Sequence, residues 1–113
     1  MEQILQVSDA LLKSPSDKRN YRYIKLANQM KCLLVQDCET QKSAANIFVQ
    51  SGSLNDPEGY DGLAHFCEHM LFLGTEKYPV ENHYSSFIKT HGGVKNAATG
   101  EDYTNYHFDV KNE

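Results

Sequence analysis

Residues 102–110 alternate between two faces, with Thr104, Tyr106, Phe108 and Val110 on one and Tyr103, Asn105, His107 and Asp109 on the other. A period of two predicts a half-buried strand. Further upstream, residues 21–26 and 30–36 suit two strands separated by the turn residues Asn28 and Gln29, a hairpin pattern. Residues 44–50, centred on Ile47, Phe48 and Val49, suit another strand, and residues 52–59, with Asn55-Asp56-Pro57, read as a loop. The first twenty residues are mostly polar and carry the turn signal Ser14-Pro15-Ser16-Asp17, so they read as a lead-in arm.

Two segments follow the helical period instead. From Asp61, a possible N-cap, to Leu73, with Gly74 as the stop, the residues Leu63, Phe66, Met70, Leu71 and Leu73 cover most of a helix circumference. A helix apolar on that many sides is expected in the interior. Residues 81–90 predict a second helix, striped by Tyr84, Phe87 and Ile88 and ended by Gly92-Gly93. Strands followed by helices and a further strand give an α+β class, a largely antiparallel sheet with helices packed on it.

Within the apolar helix stand His65, Glu68 and His69, in the order H-x-x-E-H. At about 100° per residue, the two histidines lie about 40° apart on one face, one turn apart in height. Two imidazoles so placed can direct nitrogens at one ion, supplying two of the three protein ligands of a catalytic zinc. Glu68 falls about 60° to the side of His65, within reach of a water on such an ion without being a ligand. The plain alternative is three solvated surface residues. Their setting among apolar neighbours speaks against it, because an unpartnered carboxylate or imidazole is costly to bury and a metal partners all three. His83, His91 and His107 have no spacing that pairs them and read as surface or hydrogen-bonded residues.

Composition narrows the remaining classes. The chain of 113 residues is 40% apolar and 23% charged, with a net charge of -4, which suits a globular chain and gives no basic face for nucleic acid. No apolar run is long enough to cross a bilayer, and the N-terminus lacks a secretory pattern. The three cysteines, Cys32, Cys38 and Cys67, match neither a disulfide framework nor a zinc knuckle, so they read as ordinary thiols in a reducing compartment. A cytoplasmic protein is expected.

The run Gly62-Leu63-Ala64-His65-Phe66-Cys67-Glu68-His69-Met70-Leu71-Phe72-Leu73-Gly74-Thr75 closely resembles the active-site helix of the insulinase (pitrilysin) family, the inverzincin metallopeptidases. The likeness continues from Ser14-Pro15 through Tyr21-Arg22, then in Leu26-Ala27-Asn28, Gly52-Ser53-Leu54-Asn55-Asp56-Pro57, Lys77-Tyr78-Pro79 and Thr104-Asn105-Tyr106. Cys67 within the motif, with no long acidic insertion ahead of it, favours the insulin-degrading branch. The resemblance implies a zinc metalloendopeptidase acting on short peptides, with Zn2+ held by His65 and His69 and with Glu68 as general base. It further implies that a substrate strand adds to a sheet edge at residues 95–99, with Asn96 and Ala97 making main-chain and amide contacts. From the residues alone, Asn96 reads as a turn residue after Gly92-Gly93.

The family's third ligand is a glutamate well downstream, beyond Glu113, and nothing in the spacing of Glu81 or Glu101 marks either as its replacement. The resemblance therefore implies an arm (1–20) and the first part of a peptidase domain (21–113). Its expected partners are peptides, the remainder of the catalytic domain and a C-terminal half, with no nucleic acid and no membrane. Taken alone, such a chain is expected to hold zinc weakly and cleave little. A different class of reading is a non-catalytic peptide-binding or assembly module. A structural zinc domain fits poorly, because no second pair of Cys or His completes a closed four-ligand site.

Overall fold

The computed structural model describes residues 3–112; Met1, Glu2 and Glu113, which fall within the predicted arm and peptidase segment, lie outside them. The element order is β1 (Ile4–Ser8), β2 (Asn20–Leu26), β3 (Lys31–Gln36), β4 (Lys42–Val49), a single 3-10 turn (Ser53–Asn55), α1 (Leu63–Met70), α2 (His83–Thr90), β5 (Val94–Thr99) and β6 (Thr104–Lys111). The strands form two three-stranded antiparallel sheets, ordered β1-β2-β3 and β4-β6-β5, so the class is α+β. The chain divides into two units, residues 1–40 and 41–113, each built on one sheet.

In the first unit, the stretch read as a lead-in arm contains β1, which pairs with β2 from Ile4↔Leu26 to Ser8↔Tyr23. Ile4, Leu5 and Val7 give this strand its β character, but they do not alternate with polar residues and all three stay exposed. β2 and β3 pair from Asn20↔Gln36 to Lys25↔Lys31. Their connection places Gln29 at φ 71, a left-handed turn residue, and the Asn28 side chain accepts a hydrogen bond from the Met30 N–H at 2.9 Å. Surface ion pairs tie the unit together: the exposed pair Arg22 Nε to Asp9 at 2.7 Å, and Arg19 Nε to the half-buried Asp17 at 2.8 Å.

In the second unit, β6 lies between β4 and β5, paired with β4 from Lys42↔Lys111 to Val49↔Thr104. Its alternation predicts the inward row correctly. Thr104 is buried, and Tyr106 and Phe108 join an aromatic cluster with Phe72 after α1 and Tyr84 of α2, at ring separations of 5.9 to 6.4 Å. Lys95, inward on β5, sets its ammonium 3.7 Å from the centre of the Phe72 ring. Burial, and then the Lys89 charge, lower its pKa. Ile88 of α2, 2% exposed, is the buried apolar centre.

The expectation of an interior helix does not hold for α1. Leu63, Phe66 and Met70 are exposed, and Glu68 is the buried residue of this helix. The reason is geometric: α1 packs on β5, β6 and the 3-10 turn, which cover only part of its circumference. The start of α1 also differs. Gly62, at φ 90, is the N-cap in place of Asp61, and the capping acceptor comes from Asp56, whose carboxylate receives the N–H groups of Gly62 and Ala64, both at 2.8 Å. The helix ends at Met70 rather than Leu73, and Gly74 turns the chain at φ 108.

Candidate metal centre

His65 and His69 lie one turn apart on the exposed side of α1, and their Nε2 atoms approach to 3.0 Å. Their rings stand 4.7 Å apart, tilted by 46°. In this contact one ring donates and the other accepts, so each turns a nitrogen toward a single point. Two nitrogens bound tetrahedrally to zinc at about 2.05 Å would stand about 3.3 Å apart, so the pair needs little movement to hold such an ion. The donor set fits zinc in type and spacing. Among the described residues, no group of three or more His, Cys, Asp and Glu side chains gathers around one point. Glu81 and Glu101 therefore do not complete a site with the imidazole pair.

Glu68 lies on the flank of the helix beside His65, 6% exposed, where α1 meets β5. A buried carboxylate needs a donor. It has one in Thr99, the last residue of β5, whose hydroxyl donates to Glu68 Oε2 at 2.7 Å. Cys67 is exposed and free, like Cys38, while Cys32 is a half-buried free thiol. Burial, with smaller contributions from Cys67 and Glu68, raises the pKa of the Tyr106 phenol.

A short loop holds both halves of this arrangement. The N–H groups of Ser53 and Leu54 donate to the carbonyls of Gly100 and Glu101, at 3.0 and 2.8 Å, pinning the β5–β6 turn. Three residues on, Asp56 caps α1. Gly52 lies so close to this turn that a Cβ there would overlap the Gly100 carbonyl. The helix carrying Glu68 and the strand carrying Thr99 are thus fixed to the same five-residue stretch.

β5 is an edge strand, not the turn that the residues around Asn96 suggest in isolation. Gly100 N–H donates to the Tyr103 carbonyl at 2.8 Å, which sets the parity of the ladder. Hydrogen-bonded pairs alternate in antiparallel strands, so Ala98↔Asn105 and Asn96↔His107 are bonded pairs. The main-chain groups of Lys95, Ala97 and Thr99 turn outward to the open edge. Ala97 therefore presents backbone there. Asn96 gives its backbone to β6 and keeps only its exposed side chain, on the sheet face opposite Thr99.

The other histidines stand apart from the pair. His83 stacks on Tyr78 at 5.0 Å, His91 Nδ1 contacts the Phe87 carbonyl at 2.8 Å, and His107 Nδ1 lies 3.3 Å from the Asn105 side chain. Sequence reasoning missed Asp56 and Thr99. The available signal for Thr99 was a hydroxyl on the inward parity of β5, where an apolar residue is the usual occupant.

No helix among the described residues is long and apolar enough to cross a membrane. A family model, "Insulinase (Peptidase family M16)", matches residues 31–113. An insulin-degrading enzyme of Mus musculus is 54% identical over 110 residues, 97% of this chain and 11% of the relative. A Schizosaccharomyces pombe relative, provisionally named a zinc protease, is 50% identical over 97 residues, 86% of this chain and 10% of its own length. The crystal structure of pitrilysin superposes with a TM-score of 0.87 at 41% identity, covering 98% of this chain and 12% of that one. The chain thus spans about a tenth of the length of the curated relatives it matches. With a family match over most of its residues and a shared fold, the chain belongs to the insulinase family of peptidases, M16.

Proposed function

We propose that this chain is the metal- and base-bearing part of a zinc metalloendopeptidase that hydrolyses short peptides in the cytoplasm. The observation that carries the reading is the pair of Nε2 atoms converging to 3.0 Å one helical turn apart, with a buried carboxylate on the residue before the second histidine. His65 and His69 would hold the ion. When bound there, zinc lowers the pKa of a coordinated water to about 7 and polarises the scissile carbonyl.

Glu68 accepts the proton of the attacking water and passes it to the leaving amine, which requires a carboxylate held beside the site without ligating the ion. The open edge of β5 orients the peptide through the main chain of Ala97, with the amide of Asn96 available on the outer face. Main-chain pairing of this kind selects an extended segment rather than a sequence. The naming of the mouse relative for insulin degradation supports a peptide substrate, and a net charge of -4 supports partners other than nucleic acid. A third ligand and the rest of the catalytic chamber would come from further polypeptide of the kind the relatives possess.

A second reading has one observation in its favour. Because no three-residue metal cluster gathers among the described residues, the chain by itself would act as a peptide-binding or assembly module. Zinc titration against a chromophoric chelator, combined with a peptide-cleavage assay in a polypeptide extended to the length of the relatives, separates the two. His65→Ala is expected to weaken zinc by about tenfold or more, and Glu68→Gln to keep the metal while abolishing cleavage. Wild-type zinc affinity in His65→Ala removes the ligand assignment, and cleavage by Glu68→Gln removes the base. An extended protein that binds zinc yet cleaves no peptide leaves the module.

A further inference from the structure

We propose that Thr99 is a positioning residue that sets the orientation of Glu68; the inference rests on the reading of Glu68 as the base. Its ground is the 2.7 Å hydrogen bond from the Thr99 hydroxyl to Glu68 Oε2, made where the carboxylate is 6% exposed. A glutamate side chain has three rotatable bonds, and burial alone leaves it several rotamers. A hydroxyl on a fixed strand removes that freedom by taking one oxygen and leaving the other to accept a proton.

Thr99 is suited to this task in three respects. Its β-branched side chain is stiff at χ1, so the position of the hydroxyl follows the backbone. That backbone is anchored on both sides, by the β6 ladder through Ala98↔Asn105 and by the pinned carbonyls of Gly100 and Glu101. Third, the inward hydroxyl paired directly with it is already committed: Thr104, 5% exposed, donates to the Ser51 carbonyl at 2.8 Å. Of these two paired threonines, Thr99 is the one that donates to Oε2. The outward main chain of the same residue lies on the strand edge proposed to take the peptide, so one residue would link the substrate register to the base.

The test compares Thr99→Val, which keeps the shape and loses the donor, with Thr99→Ser, which keeps the donor. In the full-length zinc-loaded protein on an internally quenched peptide, Thr99→Val is expected to lower kcat by about 10- to 100-fold, with KM within about twofold and zinc content unchanged. Thr99→Ser is expected to restore kcat to within about threefold. Independently of turnover, the carbon-13 resonance of the Glu68 carboxylate is expected to move in Thr99→Val and to stay in place in Thr99→Ser.

An unchanged kcat and resonance in Thr99→Val overturns the proposal. So does a Thr99→Ser variant as slow as Thr99→Val, or a loss of zinc in Thr99→Val, either of which marks a purely structural residue. Failure of the base reading is recognised separately, because Glu68→Gln would then cleave.

Discussion

The two sheets have the same number of strands and the same antiparallel sense, yet only one carries candidate chemistry. Sheet β1-β2-β3 has no helix among the described residues of its unit, and Ile4, Leu5, Val7, Leu33, Leu34 and Val35 all remain exposed. Its polar order comes from ion pairs in water, where each contributes little. Sheet β4-β6-β5 has α1 and α2 on one face, and that cover produces a dry strip in which Ile88, Glu68 and Thr104 are buried. A carboxylate can be held in one orientation by one hydroxyl only where water does not compete. The difference between the units is therefore the cover, and the strands themselves are nearly equivalent.

Removing the centre of that cover gives the largest expected effect. Ile88→Ala should destabilise the second unit by about 2–5 kcal/mol, the range for deleting a buried branched side chain. Leu34→Ala, at a position 52% exposed in the first unit, should shift stability by less than about 1 kcal/mol. Amide hydrogen exchange in β6 and β2 reads the two units separately. Equal losses for the two variants would mean that the sheets share one core and that the contrast is false.

A smaller effect is expected at the loop that joins helix to strand. Asp56→Ala removes the acceptor for the Gly62 and Ala64 N–H groups and should lower stability by about 0.5–2 kcal/mol, with faster exchange at those two amides. Asp61→Ala should leave both unchanged. The reverse result would restore the cap to the residue that the local sequence suggests.

That exchange of caps shows what was legible in the sequence and what was not. The α+β class, the β2–β3 hairpin, β4, α2 and the inward row of β6 follow from local periodicity and turn residues, which act over a few positions. The spacing of His65 and His69 is equally local, since four residues on a helix set their relation. Asp56 acts across eight residues to Ala64 and Thr99 across thirty-one to Glu68, and such pairings depend on how elements pack. β1 was missed because its apolar residues do not alternate and it is a strand only through its pairing with β2. The exposure of α1 was missed for a related reason. An all-round apolar helix signals that many faces are to be covered, but not that the covering residues lie within the same stretch of chain.

The smallest expected effect lies in acid, and it bears on the first unit more than the second. The Arg19 guanidinium, then the Tyr21 hydroxyl and the Arg19 N–H, hold the Asp17 carboxyl well below its ordinary 3.8. Arg22 lowers the pKa of Asp9, and Lys42 that of Asp109 in the second unit. For each carboxylate the unfolded chain takes up its proton at a higher pH than the folded one. The stabilisation is therefore whole above about 3.8 and drains away as the pH falls through the lower folded value. Two of the three groups are in the first unit, where no described apolar residue is buried, so exchange protection in β1 and β2 should fall between pH 5 and pH 2.5 while that of β5 and β6 changes less. Asp17→Asn should flatten part of the first unit's response. Asp9 is exposed and Asp17 and Asp109 are half-buried, all paired with exposed cations at the surface, so the change should be modest and shrink further in molar salt. A parallel loss in both units would show that β5 and β6 also depend on surface charge, and that the cover provided by α1 and α2 does not set the sheets apart.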